Sequence, residues 1–173
     1  MREGQIYLLK IITVYPFCIK YYIYLFCSLF GKRGYLVETF REDTLPDRLK
    51  PAMSYVSYTK PGVGRGPHEH NKQTDIFCFI GPGSFKIKFW DNRKNGKTYG
   101  SFMEIIGGRD NPILIIILPG IVHGYKNISQ DLGMVINYPD KLYKGWNKEE
   151  EVDEIRHEEK EDNFYLDFVS EEN

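Results

Sequence analysis

Two histidines one residue apart, His68 and His70, stand in the stretch Gly62 to Gly83, GVGRGPHEHNKQTDIFCFIGPG. Side chains on a β-strand alternate with period two, so in a strand both imidazoles project to one side. Asp75 follows five residues after His70, and then come the apolar run Ile76 to Ile80 and the turn Gly81-Pro82-Gly83. A third histidine, His123, lies in a later segment, Gly120 to Lys126. Three imidazoles and a carboxylate (His68, His70, Asp75 and His123) suit one borderline divalent metal such as Zn, Fe, Mn or Ni. An imidazole is also the side chain best matched to removing a proton from a carbon acid near neutral pH, which would make His68 a base. The plain alternative to both is a packed, hydrogen-bonded histidine that holds no metal.

The elements that must position these residues read as strands. Met53–Thr59 precedes the histidine stretch. Phe85–Trp90, FKIKFW, alternates apolar and basic residues as a half-buried strand does, and Asp91–Gly96 is a hairpin-type loop ending in Asn95-Gly96. Thr98–Ile106, the β-branched run Pro112–Leu118, Gly120–Lys126 and Gly133–Tyr138 continue the series, and Tyr35–Phe40 opens it. Many short strands separated by turn residues, with little helical periodicity, predict an all-β domain, a double-sheet jelly roll of the cupin type. The expected division is an apolar N-terminal segment (1–30), a barrel (31–146) and an acidic tail (147–173) that packs on the barrel or is partly disordered. That tail begins KEEEVDEIRHEEKED and reads as solvated surface with a short helix, His157 among its acids.

The spacing resembles the general cupin pattern, G-x5-H-x-H-x4-E-x6-G followed by P-x-G-x2-H-x3-N. Gly62, His68, His70 and Asp75 fall on the first half, and Gly120, His123 and Asn127 on the second, with Pro119 shifted by one. Further residues are similar to the dTDP-4-dehydrorhamnose 3,5-epimerase family from about Lys32 to Trp146. These are Arg33-Gly34-Tyr35 with Glu38 and Phe40, Gly62 to His68, Asp91-Asn92-Arg93 with Thr98-Tyr99-Gly100, and Pro119-Gly120 with His123-Gly124-Tyr125. The resemblance implies a cupin-fold homodimer that uses no metal and epimerises a dTDP-4-keto-6-deoxy sugar. It makes His68 the base and places Asp162 as its carboxylate partner. It assigns Arg33, Glu38, Arg65, His123 and Tyr143 to the nucleotide sugar, where guanidinium groups suit a diphosphate.

The chain departs from that family at chemically central positions. Asp75 stands where the resemblance places a lysine that stabilises an enolate. Asn137 stands near the position of a tyrosine that acts as general acid, and a Q-x-N-x-S set reads Met53-Ser54-Tyr55-Val56-Ser57. A sugar-binding relative without catalysis is therefore a further reading.

The remaining features bound the partners. Lysine and arginine number 23 against 24 aspartates and glutamates, which gives no electrostatic case for nucleic acid. Cys18, Cys27 and Cys78 lack metal-ligand spacing and are read as reduced thiols, in keeping with a cytoplasmic protein. In residues 1–30, Lys10, Pro16 and Lys20 keep every apolar run below the roughly 20 residues of a bilayer span. One or two strands are expected there, ahead of a membrane-associated segment or a cleaved signal.

Overall fold

The computed structural model describes residues 10–12, 22–25, 28–31, 34–43, 45 and 49–157. Among these residues the chain forms β1 (Lys10–Ile12), β2 (Tyr22–Leu25), β3 (Ser28–Gly31), β4 (Gly34–Val37), β5 (Tyr55–Thr59), β6 (Gly64–Glu69) and β7 (Asp75–Phe79). It continues with β8 (Ser84–Asp91), β9 (Phe102–Gly108), β10 (Ile113–Ile117), β11 (Ile121–Asn127), β12 (Gly133–Asn137) and β13 (Ile155–Arg156). One antiparallel sheet has the order β1-β2-β10-β7-β12-β5, and the other has β13-β6-β11-β8-β9. Strands β3 and β4 pair as a separate ribbon. The architecture is an all-β, cupin-type double-sheet jelly roll. Among the described residues no helix is long and apolar enough to cross a membrane.

Alternation within each strand decides what lies between the sheets. Phe77 and Phe79 of β7, the odd-numbered isoleucines of β10 and Val135 face Phe85, Ile87, Phe89, Ile121 and Tyr125 of the other sheet, and together they form one apolar core. Edge-to-face contacts of Tyr125 with Phe77, Phe79 and Phe85 lock its centre, at ring separations of 5.8, 5.4 and 5.5 Å. The alternate residues of β7 and β10, Ile76, Cys78, Leu114 and Ile116, form a second cluster on the outer face with Leu45 and Leu49. This is why β7 and β10 read as continuous apolar runs: both of their faces are covered. Cys78 is a free thiol there. Cys18 and Cys27 lie outside the described residues.

Several elements differ from the sequence reading. Residues 97–100 form a turn, and the strand expected from Thr98 begins at Phe102. The reason is the Asp91 carboxylate, which accepts bonds from Thr98 Oγ1 (2.5 Å), Arg93 Nε (2.9 Å) and the Arg93 N–H (2.9 Å), and so curls the loop around itself. The short helix expected in the acidic tail is only a 3-10 turn, Trp146–Lys148.

His157 is not a surface residue. It is 1% exposed, and its Nε2 lies 2.8 Å from Glu69 Oε1, which also accepts from Asn92 Nδ2 at 2.6 Å. Beside it β13 adds to the free edge of β6, pairing Ile155 with Glu69 and Arg156 with His68. An acidic composition concealed this pairing because the two tail residues that form the strand contribute backbone hydrogen bonds, which leave no hydrophobic period in the sequence.

The β6–β11 pair sets the histidines. His123 lies opposite His68, and the register shifts between His123 and Tyr125. Gly66 sits at this irregularity with φ +76°, and a Cβ there would lie 2.7 Å from the His123 carbonyl oxygen and 3.1 Å from His68 Nδ1. Gly62 has a similar φ of +72° with open space around it. Gly62→Ala is therefore expected to lower stability by roughly 1–2 kcal/mol, the cost of the left-handed backbone alone. Gly66→Ala is expected to cost more, because backbone must also move. Equal chemical-denaturation midpoints for the two variants would refute this account of the β6–β11 contact.

Candidate functional site

One end of the inter-sheet space is polar where the other is aromatic. His68 and His70 come from the end of β6 and the residue after it, His123 from β11, Asp75 from the start of β7 and Asn137 from the end of β12. Both sheets contribute, so the cluster exists only when they pack. One ligand-type atom from each of His68, His70, Asp75 and His123 lies within 4.8 Å of the other three. The His68 ring centroid is 4.4 Å from that of His123 and 5.2 Å from that of His70.

Asp75 is at the centre and is 1% exposed. Its Oδ1 accepts from Gln73 Nε2 at 2.9 Å and Asn137 Nδ2 at 2.8 Å. Its Oδ2 faces His70 Nε2 at 3.1 Å and His123 Nε2 at 3.3 Å. Burial opposes the negative charge, but the His123 and His70 rings outweigh it and hold the carboxyl well below its usual range. Burial likewise opposes charge on His70, and Asp75 reverses the balance, raising that imidazole above its ordinary value.

The other ring nitrogens are anchored to backbone. His123 Nδ1–H donates to the Ile121 carbonyl at 3.0 Å, and His70 Nδ1–H donates to the Asp153 carbonyl. Asp153 is itself fixed, because its carboxylate accepts the N–H groups of Asn71, Lys72 and Gln73 at 3.1, 2.8 and 2.9 Å. His68 differs from both. Its ring makes no hydrogen bond among the described residues, and burial together with the neighbouring His123 pushes its pKa down to about 2, so it stays neutral.

A cavity of about 1070 Å³ opens over this cluster. His68, His70, Gln73, Tyr55 and Tyr143 line it, and the segment from Pro139 to Glu154 forms much of its wall. Tyr55 was not singled out from the sequence. It is the cross-strand partner of Asn137, and its hydroxyl accepts from Asn137 Nδ2 at 2.9 Å. The position where the resemblance places a tyrosine thus holds an asparagine, and a tyrosine stands directly beside it on β5. Burial first, and then the nearby Asp75 charge, raise the Tyr55 phenol far above its ordinary value, so it stays protonated.

The remaining sequence candidates fall elsewhere. Glu38 is exposed and 3.5 Å from Arg41. Arg65 is turned toward β5, with Nε donating to Thr59 Oγ1 at 3.0 Å and a terminal nitrogen to the Tyr58 carbonyl at 2.9 Å. Neither lines the cavity. Arg33 and Asp162 lie outside the described residues. Asp153 and Gln73 were missed because nothing local marks them: one stands in a run of acids and the other in a polar loop.

No family model matches the chain. The probable low-salt glycan biosynthesis epimerase Agl13 of Haloferax volcanii is 37% identical over 113 residues, covering 65% of this chain and 72% of that protein. The spore coat polysaccharide biosynthesis protein SpsL of Bacillus subtilis is 31% identical over 113 residues, covering 64% and 72%. Among solved structures, the Legionella pneumophila dTDP-6-deoxy-D-glucose-3,5-epimerase, in complex with dTDP-4-keto-L-rhamnose, superposes with a TM-score of 0.70 at 21% identity, over 79% of this chain and 73% of that one. The shared fold and the curated relatives agree: this chain belongs to the dTDP-4-dehydrorhamnose 3,5-epimerase family, as a divergent member.

Proposed function

We propose that this protein epimerises a 4-keto-6-deoxy sugar carried on a nucleoside diphosphate, with dTDP the expected carrier, in the synthesis of a glycan or polysaccharide. The observation that carries this reading is His68, whose ring makes no hydrogen bond among the described residues and lines a cavity large enough for a nucleotide sugar. The names of the relatives, a glycan epimerase and a polysaccharide biosynthesis protein, support the same pathway class.

The chemistry follows from the placement of the side chains. His68 takes the proton from the carbon beside the keto group: the C–H bond breaks, an N–H bond forms and the electron pair moves onto the carbonyl oxygen as an enolate. Tyr55 belongs to the facing sheet and keeps its proton. Its O–H delivers that proton to the same carbon from the opposite side, inverting the centre. The imidazolium and the phenolate then exchange protons with water at the cavity mouth, which restores both groups. Tyr143, also on the cavity wall, contacts the sugar or its nucleotide. The protein works as a cytoplasmic homodimer in this reading. The exposed Val56 and Tyr58 on the edge strand β5 suit coverage by a second copy.

In heavy water, the wild-type protein is expected to incorporate deuterium beside the keto group of a dTDP-4-keto-6-deoxy sugar, read by mass spectrometry. His68→Asn should slow incorporation by about 10²–10⁴-fold, the usual contribution of a positioned base. Absence of wild-type incorporation with every such sugar would falsify the reading. Tyr55→Phe is expected to separate the two proton transfers: exchange persists, because His68 returns deuterium to the face it came from, while the inverted product disappears from the NMR spectrum. If Tyr143→Phe abolishes inversion and Tyr55→Phe does not, the donor is Tyr143.

A further inference from the structure

We infer that Glu69, Asn92 and His157 are positioning residues, a buried clasp on the outer face of the sheet that carries β6, and that this clasp aims His68 into the cavity. The starting observation is that His68 has no anchor of its own. Its ring makes no hydrogen bond among the described residues, whereas the His70 and His123 rings are each tied to a backbone carbonyl. Its aim is therefore set by the backbone of β6 and by packing on His123 and His70, whose ring centroids lie 4.4 and 5.2 Å away. Whatever fixes the β6 backbone at this point fixes the imidazole.

Glu69 stands between the two histidines, and strand alternation turns its side chain to the face away from His68. Asn92 Nδ2 and His157 Nε2 converge on one of its oxygens, Oε1, at 2.6 and 2.8 Å. His157 also donates its backbone N–H to the Pro67 carbonyl at 2.9 Å. Ile155 pairs with Glu69 and Arg156 with His68, so residues 67, 68 and 69 are all held by residues 155, 156 and 157. Asn92 extends the hold to the other histidines. Its backbone N–H donates to the Gly120 carbonyl at 3.0 Å, and the Gly120 N–H donates to the His70 carbonyl at 2.9 Å. Gly120 directly precedes β11, which carries His123. One buried carboxyl group thus reaches the backbone beside all three imidazoles.

Two donors on a single oxygen leave the Glu69 side chain little freedom to turn. The same outer face holds the buried pair Trp90 and Val122, and hydrogen bonds are stronger in such apolar surroundings than in water. Removing a proton from carbon requires the imidazole within reach of the C–H bond, and a misplacement of about 1 Å costs about 10²-fold in rate. The catalytic consequence rests on the epimerase reading, while the hold of the clasp on His68 does not.

The chain has four histidines, so the nitrogen-15 spectrum of its imidazole rings in the full-length protein contains one set of signals for each, and His68→Asn assigns that of His68. Three variants open the clasp: Glu69→Ala, Asn92→Ala and His157→Phe, the last keeping a ring without its nitrogens. Each is expected to move the His68 resonances. With a dTDP-4-keto-6-deoxy sugar in heavy water, each should also lower kcat for exchange by about 10–10²-fold and leave KM nearly unchanged. Glu69→Gln keeps an acceptor oxygen in the place of Oε1 and should restore both readouts. Phe85→Leu, at the apolar end of the barrel, is the control: it lowers the denaturation midpoint and moves neither readout. Should Glu69→Ala not fold, Asn92→Ala, at a half-buried loop position, carries the same test. Unmoved His68 resonances in folded clasp variants would overturn the proposal, as would a Glu69→Gln variant as impaired as the others. Equal shifts in Phe85→Leu would overturn it too, because the effect would then follow stability and not position. The spectra use no sugar: if they respond as expected while no sugar exchanges, the epimerase reading falls and the clasp stands.

Discussion

A buried carboxylate is the constraint on which the rest of this structure turns. Asp75 sits at the start of a central strand with almost no contact with water, and an ionised group there is costly unless every lone pair is met. Two amides meet one oxygen and two imidazoles face the other. These partners come from β11, β12 and the loop between β6 and β7. The carboxylate therefore ties both sheets together at the polar end of the barrel, while aromatic packing around Tyr125 does so at the apolar end. A protonated or truncated Asp75 would leave a hole in the electrostatics as much as in the packing.

The acidic tail takes part in the same network. Asp153 caps three consecutive backbone N–H groups beside His70 and presents its own carbonyl to that ring. Two residues later β13 pairs with β6 opposite His68, and His157 buries itself against Glu69. The backs of both histidines thus depend on a segment some 80 residues further along the chain. The cavity wall that this segment forms sets charged side chains such as Lys144 and Glu151 beside apolar ones such as Leu142 and Trp146.

Asn137 and Tyr55 show how two strands share one part of the cavity. They are direct cross-strand partners, and Asn137 Nδ2 bonds both the Tyr55 hydroxyl and Asp75. Viewed along one strand, the tyrosine expected at Asn137 is missing. Viewed across the pair, a protonated phenol still stands on the sheet that faces His68. Cross-strand neighbours on one face lie about 5 Å apart, so two adjacent positions can serve one volume of the cavity.

Much was legible from the chain alone. Period-two alternation located most strands from Met53 to Tyr138, and the His-x-His spacing put His68 and His70 on one side because a strand leaves no other arrangement. Local sequence decides which face a side chain takes, since that depends only on neighbouring backbone geometry. It does not decide which strand lies alongside. The meeting of Asp75 with His123, the pairing of Tyr55 with Asn137, the reach of Asp153 to His70 and the burial of His157 all rest on register between distant segments. That register is set by packing two whole sheets against each other, and only the tertiary structure determines it.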